Sequence, residues 1–326
     1  MIAEAVKSHY QNLVRTGAGD PAALARLARK GDAAAAADLG ALMARAGYVD
    51  PATIIAVYDA AAAGWFGETA ALVSLGDDPA DASLALWVPF WEFLDDDTPS
   101  DPGTFTLRTA RLGDHVDAGF AERAGEASLA YPGVSEAAAQ GWPDRFLLED
   151  LAACPPGSLG ADFHSLIVDN GFDLEVLDRD ALGLANLRPP LDYLNVRILQ
   201  CHDLWHIVGG YRTTALHEVA ISAFQLSQFG HNYSAQFLAF IVTRAALKRP
   251  DSYALLLDVI LSAWRHGRAS PQLLGVDWPT LWDLPTSAIR TRLGITAYDS
   301  PYPADLVEQL TAAQAAVEAA AQVAAQ

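Results

Sequence analysis

The run Asn195-Val196-Arg197-Ile198-Leu199-Gln200-Cys201-His202-Asp203-Leu204-Trp205-His206-Ile207-Val208-Gly209-Gly210 constrains this chain more than any other feature. It reads as a helix that stops at paired glycines, which tolerate the left-handed geometry of a helix C-terminus. A helical residue turns about 100°, so Asp203 lies near 100° and His206 near 40° from His202. The three polar side chains share one arc, while Leu204 and Trp205 fall outside it and can pack. Thr213-Thr214 offers an N-cap for a second helix that begins Ala215-Leu216-His217-Glu218. In one continuous helix Glu218 would sit about 18 Å from His206 along the axis. Turned back at the glycines, it returns to the first face. The spacing predicts a helix–turn–helix clamp.

Two imidazoles and two carboxylates form a donor set for a divalent metal. Zinc, iron(II), cobalt or manganese all suit it. Four protein ligands closing the site would make it structural, and an open position would make it catalytic. Neighbouring residues take plainer roles. His217 points about 100° from Glu218 and is expected behind the ligands or exposed. Cys201 is expected in the core, and His231 as a structural or pocket histidine. Arg197 is expected as an ion-pair partner. Arg212 is expected as an exposed turn arginine, with pairing to a substrate carboxylate as its alternative.

The rest of the chain predicts a mainly α fold: a multi-helix bundle with the clamp, plus an N-terminal helical module. Asp20-Pro21 and Asp50-Pro51 read as N-cap followed by proline at the first helical position. Breaks fall at Gly31-Asp32, Tyr131-Pro132-Gly133 and Cys154-Pro155-Pro156-Gly157. The acidic, turn-rich stretch 95–103 reads as a linker. It divides an Ala-rich module at 1–100, expected to mediate association, from a metal-binding helical domain at 101–326. Val219 to Thr243 is the longest uncharged apolar-leaning stretch. Its many polar interruptions make it a buried or groove-lining helix rather than a membrane span.

Charge narrows the partners. Forty acidic and 21 basic residues give a net −19 over 326 residues. That excludes nucleic acid as a main partner and disfavours electrostatic docking on anionic lipid, but leaves apolar membrane contact open. The 52% hydrophobic content excludes a disordered chain. Cys154 and Cys201 match no CxxC motif and are expected as scattered thiols of a cytoplasmic protein. The first residues lack a secretory pattern.

His202-Asp203-x-x-His206, eleven residues and then Glu218 resemble the metal signature of the coenzyme Q biosynthesis Coq-four family. Pro155-Pro156-Gly157-Ser158-Leu159-Gly160, Phe163 and Asn170 resemble its entry segment. Trp264-Arg265-His266-Gly267, Leu274, Val276-Asp277-Trp278, Leu284-Pro285 and Arg292-Leu293-Gly294-Ile295 resemble its closing segment. The likeness covers about 146–300. His217, where a small residue is usual, and Gly210-Tyr211-Arg212, in place of a more apolar turn, depart from it. The N-terminal hundred residues have no clear counterpart.

The resemblance implies a zinc-type ion on His202, Asp203, His206 and Glu218, which would also be the catalytic residues. It implies a groove for a polyprenyl tail and peripheral contact with the cytoplasmic face of the inner membrane. The implied reaction is oxidative decarboxylation at ring C1 of a polyprenylated hydroxybenzoate. Implied partners are this quinone precursor, other ubiquinone-biosynthesis enzymes and a second copy in a homo-oligomer. The competing expectation is a non-catalytic lipid-binding scaffold. A further one, an HD-type phosphohydrolase, needs a histidine and an aspartate such as His164 and Asp258 in the same cluster.

Overall fold

Capped helix starts and glycine or proline stops divide the chain in the computed structural model. It describes residues 1–326 except 72, 74, 76–81, 99–101, 176 and 325–326. Among the described residues there are sixteen α-helices and no strand, the mainly α class expected. The first five are α1 (Glu4–Thr16), α2 (Pro21–Arg29), α3 (Ala33–Tyr48), α4 (Ile54–Trp65) and α5 (Leu84–Asp95). Then come α6 (Pro102–Leu112), α7 (Phe120–Ser128), α8 (Val134–Ala138), α9 (Leu148–Ala152) and α10 (Leu159–Asn170). The remainder are α11 (Leu191–Gly209), α12 (Ala215–Phe229), α13 (Asn232–Lys248), α14 (Pro250–Ala269), α15 (Thr286–Leu293) and α16 (Leu306–Ala324).

Asp20 accepts from the Ala22 N–H at 2.9 Å and Asp32 from the Ala35 N–H at 3.0 Å, so α2 and α3 begin on side-chain caps. Asp50 behaves differently. Pro51–Thr53 forms a short 3-10 turn before α4, and Asp50 makes no cap bond. Its carboxylate lies 3.4 Å from the Arg45 guanidinium instead. Arg45 is buried and donates to the Val14 and Arg15 carbonyls at 3.0 and 2.6 Å, closing the end of α1. A buried guanidinium needs a counter-charge, and Asp50 supplies it.

The centre of the molecule is the consecutive trio α12, α13 and α14. The helix α3 lies along α13, and α4 lies against α14. Asp59 of α4 accepts from Trp264 Nε1, and Asp258 of α14 accepts from Trp65 Nε1, each at 2.7 Å. These two reciprocal bonds register α4 on α14 while satisfying both indoles. Glycine permits the α3–α13 crossing: a Cβ on Gly47 would stand 2.9 Å from the Ala235 carbonyl oxygen. Tyr10 and Tyr48 bond across the same seam, to Thr243 Oγ1 at 2.6 Å and the Gln236 carbonyl at 3.1 Å. Helices from both 1–100 and 101–326 contribute to one hydrophobic cluster. Of the acidic stretch 95–103, residues 99–101 lie outside the described residues. Asp96 pairs with Arg108 at 2.7 Å and Asp97 with Lys248 at 2.9 Å.

The stretch Val219 to Thr243 is two helices, not one. Gly230, at φ 66°, ends α12, and α13 starts two residues later. Phe224, Leu226, Phe229, Leu238 and Phe240 are fully buried, while Phe237 and Ile241 are partly buried. They fill the core rather than line a groove: Phe93 and Phe240 stack at 4.4 Å, and Trp205 meets Phe229 at 5.0 Å. Among the described residues no helix is long and apolar enough to cross a membrane. Both cysteines are free thiols, with Cys201 in the core.

Two outcomes follow from this packing. Gly47→Val should lower unfolding stability by about 1–3 kcal/mol, because the obstacle is backbone and cannot swing aside. Urea titration reads this, and an unchanged midpoint would contradict the close crossing. His231, at the α12–α13 junction, is buried with Nδ1 2.9 Å from Ser234 Oγ. Burial, helped by charge on His202, pushes its pKa down to about 3. As pH falls below about 6.5 the unfolded chain takes the proton first. Its contribution is therefore complete above that pH and lost towards 3, with a slope of up to about 1.4 kcal/mol per pH unit. In chelator-treated protein, His231→Gln should show a shallower loss of urea stability from pH 6.5 to 4.5. Equal slopes would refute the assignment.

Candidate metal centre

The site exists because α11 ends where it does. The residue Gly210 adopts φ 79°, and a Cβ there would meet Ala297 Cβ at 2.8 Å. A helix leaves its last carbonyls without partners. Here Arg290 of α15 donates to the Ile207 and Val208 carbonyls at 2.7 and 2.9 Å. The Tyr298 N–H donates to the Gly209 carbonyl at 2.8 Å. Thr214 occupies the N-cap position of α12 but does not cap it: its hydroxyl donates to the Ala304 carbonyl at 2.7 Å. Glu308 of α16 takes that role, accepting from the Ala215 N–H at 2.8 Å.

This turn brings the four predicted side chains together. The Nε2 atoms of His202 and His206 lie 3.2 Å apart. Glu218 sets Oε2 3.3 Å from His202 Nε2 and Oε1 3.3 Å from His206 Nε2. Donor atoms of His202, Asp203 and His206 all fall within 4.8 Å of one another. Donors about 2.0–2.1 Å from a tetrahedral ion stand about 3.3 Å apart. The three short separations, all among His202, His206 and the two Glu218 oxygens, are of that size, while Asp203 stands within the wider 4.8 Å limit of the two imidazoles. The two faces of the site differ. His206 is 1% exposed, whereas the Glu218 side chain is 47% exposed, so the site reaches solvent along α12.

The carboxylates are pulled in opposite directions. Burial would raise the Glu218 carboxyl, but hydrogen bonds and charge from His202 and His206 hold it well below the usual range. Burial raises Asp203, against the opposing pull of the same two histidines. For His202, burial acts to lower the pKa, yet the Glu218 hydrogen bond and charge win and raise it.

Around this group several roles are settled by contacts. His217 is buried, and its Nδ1 accepts from the Arg212 N–H at 2.8 Å. It packs on Tyr298, which stacks on Tyr211 at 4.7 Å. Tyr211 hydrogen-bonds His266 Nδ1 at 2.6 Å, and His266 Nε2 donates to the Thr296 carbonyl at 2.7 Å. Arg212 is exposed, as expected for a turn arginine. Arg197 departs from the expected ion pair. It donates to the Leu274 and Val276 carbonyls at 3.2 and 2.9 Å and to Gln200 Oε1 at 2.6 Å, because the element crossing it there offers backbone oxygen. Asp258 is tied to Trp65 and to Tyr302, at 2.7 and 2.8 Å, so it does not supply the aspartate of a phosphohydrolase cluster.

Sequence reasoning missed Gln225. Its amide lies 2.7 Å from His202 Nδ1, and the residue is 2% exposed. The signal was available, since seven residues after Glu218 is the same face of α12 two turns on. Arg290 and Glu308 were also missed, and they lie 82 or more residues from the groups they serve.

Residues 144–299 match the family described as coenzyme Q (ubiquinone) biosynthesis protein Coq4. The mitochondrial ubiquinone biosynthesis protein COQ4 homolog of Drosophila ananassae is 31% identical over 151 residues, 46% of this chain and 53% of that protein. The mitochondrial homolog of Mus musculus is 26% identical, over 46% of this chain and 54% of its own length. A crystal structure of a candidate ubiquinone biosynthesis protein from Nostoc punctiforme is 26% identical, with a TM-score of 0.49. That likeness covers 65% of this chain and 98% of the Nostoc chain. The chain thus spans about half the length of the curated relatives it matches. Residues 144–299, which include all four clamp residues, are thus similar to the coenzyme Q (ubiquinone) biosynthesis protein Coq4 family.

Proposed function

We propose that the chain acts in ubiquinone biosynthesis and holds one divalent cation, zinc first, on His202, Asp203, His206 and Glu218. Iron, cobalt and manganese are the other candidates. The observation that supports this reading is the convergence of the His202 and His206 Nε2 atoms, 3.2 Å apart, with the Glu218 carboxylate 3.3 Å from each and an Asp203 oxygen within 4.8 Å of both rings. The reaction we assign is oxidative decarboxylation at ring C1 of a polyprenylated hydroxybenzoate. Carbon dioxide leaves, a hydroxyl takes its place, and an external oxidant supplies the oxygen.

A divalent cation held there with a coordination position beyond these four residues would supply a Lewis acid for a substrate carboxylate or phenolic oxygen. The chain's own residues divide the remaining work. Glu218 stays ionised beside the imidazoles and keeps the site negative. Asp203 supplies the second carboxylate, beside both imidazoles on α11. The half-exposed edge at Glu218 gives a substrate its approach. The prenyl tail lies outside the α12–α13 core, whose phenylalanines already pack on rings of neighbouring helices. Such a substrate calls for peripheral contact with the cytoplasmic face of a membrane, and the same reading includes other ubiquinone-biosynthesis enzymes and a second copy of the chain as partners.

Elemental analysis of purified protein should find about one equivalent of zinc. Removing it with chelator should lower the melting temperature by several degrees, since the ligands tie α11 to α12. An unchanged melting curve would count against the clamp. Glu218→Ala should stay folded, by circular dichroism, and lose turnover of a polyprenylated hydroxybenzoate followed by mass spectrometry. Full activity in that variant would defeat the catalytic assignment. Zinc binding without turnover in the unmutated protein would support the scaffold instead.

A further inference from the structure

We propose that Gln225 is a positioning residue that selects which ring nitrogen of His202 faces the cation, an inference that rests on the metal reading above. An imidazole has two nitrogens and can present either one. A partner on one nitrogen decides what the other does. In this structure the Gln225 amide lies 2.7 Å from His202 Nδ1, so that nitrogen is taken. Nε2 is left to face His206 Nε2 at 3.2 Å and Glu218 Oε2 at 3.3 Å. The amide is almost fully buried, so water does not compete for the contact.

An amide suits this task better than a one-way partner. Its NH2 donates and its oxygen accepts, and half a turn about the terminal torsion exchanges them. Without a cation, Nδ1 accepts from the NH2 and Nε2 carries the proton, which it shares with Glu218. With a cation on the Nε2 lone pair, the proton must sit on Nδ1, and the amide oxygen accepts it. Gln225 therefore fits both states of the ring without moving its stem. His206 has no such device: its Nδ1 is buried with no hydrogen-bond partner among the described residues. That ring is held from its Nε2 side and by packing, so hydrogen-bonded tuning through Nδ1 falls on His202. The placement is economical in sequence. One face of α12 carries the ligand Glu218 and, two turns later, the residue that orients a ligand on α11.

The test compares Gln225→Leu, which keeps the volume and removes the bond, with Gln225→Glu, which keeps only acceptors. Zinc affinity is read by competition with a chromophoric chelator, and folding by circular dichroism. Loss of an outer partner of a metal-bound histidine weakens binding by about 10–100-fold. Gln225→Leu should fall in that range, and Gln225→Glu should bind zinc at least as tightly as the unmutated protein. Unchanged affinity in Gln225→Leu, or equal weakening in both, would overturn the proposal. A second readout needs no metal. In chelator-treated, nitrogen-15-labelled protein, long-range proton–nitrogen spectra report the His202 tautomer. A proton on Nε2 alone is expected in the unmutated protein, with a mixture in Gln225→Leu. If the unmutated protein binds no zinc, the metal reading fails, while an identical tautomer in both proteins refutes the role of Gln225.

Discussion

The reversal of the chain after α11 rests on satisfying three carbonyls. Ile207, Val208 and Gly209 stand at the end of the helix, where the helix itself provides no donor. Arg290 and the Tyr298 backbone supply those donors from a segment eighty residues later. A hydrogen bond from a charged donor contributes about 1.5–3 kcal/mol, and an unsatisfied buried carbonyl costs a comparable amount. Gly210 can then take a left-handed turn that a side chain at that position would obstruct. The rest of the site depends on this junction. If α12 left at another angle, Glu218 would meet water and the two imidazoles would face each other without a counter-charge.

The division between what the sequence discloses and what it hides follows range. The i, i+1 and i+4 placement of His202, Asp203 and His206 is a property of any helix. The diglycine predicts the break, so the return of Glu218 was legible from local rules. The helix starts at Asp20 and Asp32 were legible for the same reason. Asp50 and Thr214 have the right chemistry for caps, yet both are diverted by distant groups: a buried arginine in one case, a carbonyl near α16 in the other. Arg197 likewise found backbone oxygen where a carboxylate was expected. Pattern rules describe what a side chain can do for its own segment. They carry no information on a partner that arrives from elsewhere in the chain.

The apolar stretch after Glu218 teaches a related point. Phenylalanines at helical spacing serve a core or a groove equally well in sequence. Burial decides it: Phe240 stacks on Phe93 from α5, and Phe229 meets Trp205 from α11. The part of the chain without a counterpart in the family signature thereby contributes to the core beneath the clamp. The α3–α13 crossing and the two tryptophan–aspartate bonds hold α13 and α14 in place. Both helices pack against α12, which carries Glu218 and Gln225.

Two carboxylates in one small site repel when both are ionised, and the structure relieves that repulsion by treating them differently. Glu218 meets two imidazoles and keeps its charge in spite of burial. Asp203 gains less from the same histidines than it loses to burial, and its pKa rises. Groups whose environments separate their pKa values can take separate roles: one a constant anion, the other a group able to exchange a proton. The arrangement also explains why the opening lies on the Glu218 side. An ionised carboxylate tolerates water better than a carboxyl with a raised pKa, and the half-exposed edge carries the former. Asp203, one residue from His202, is more enclosed than Glu218.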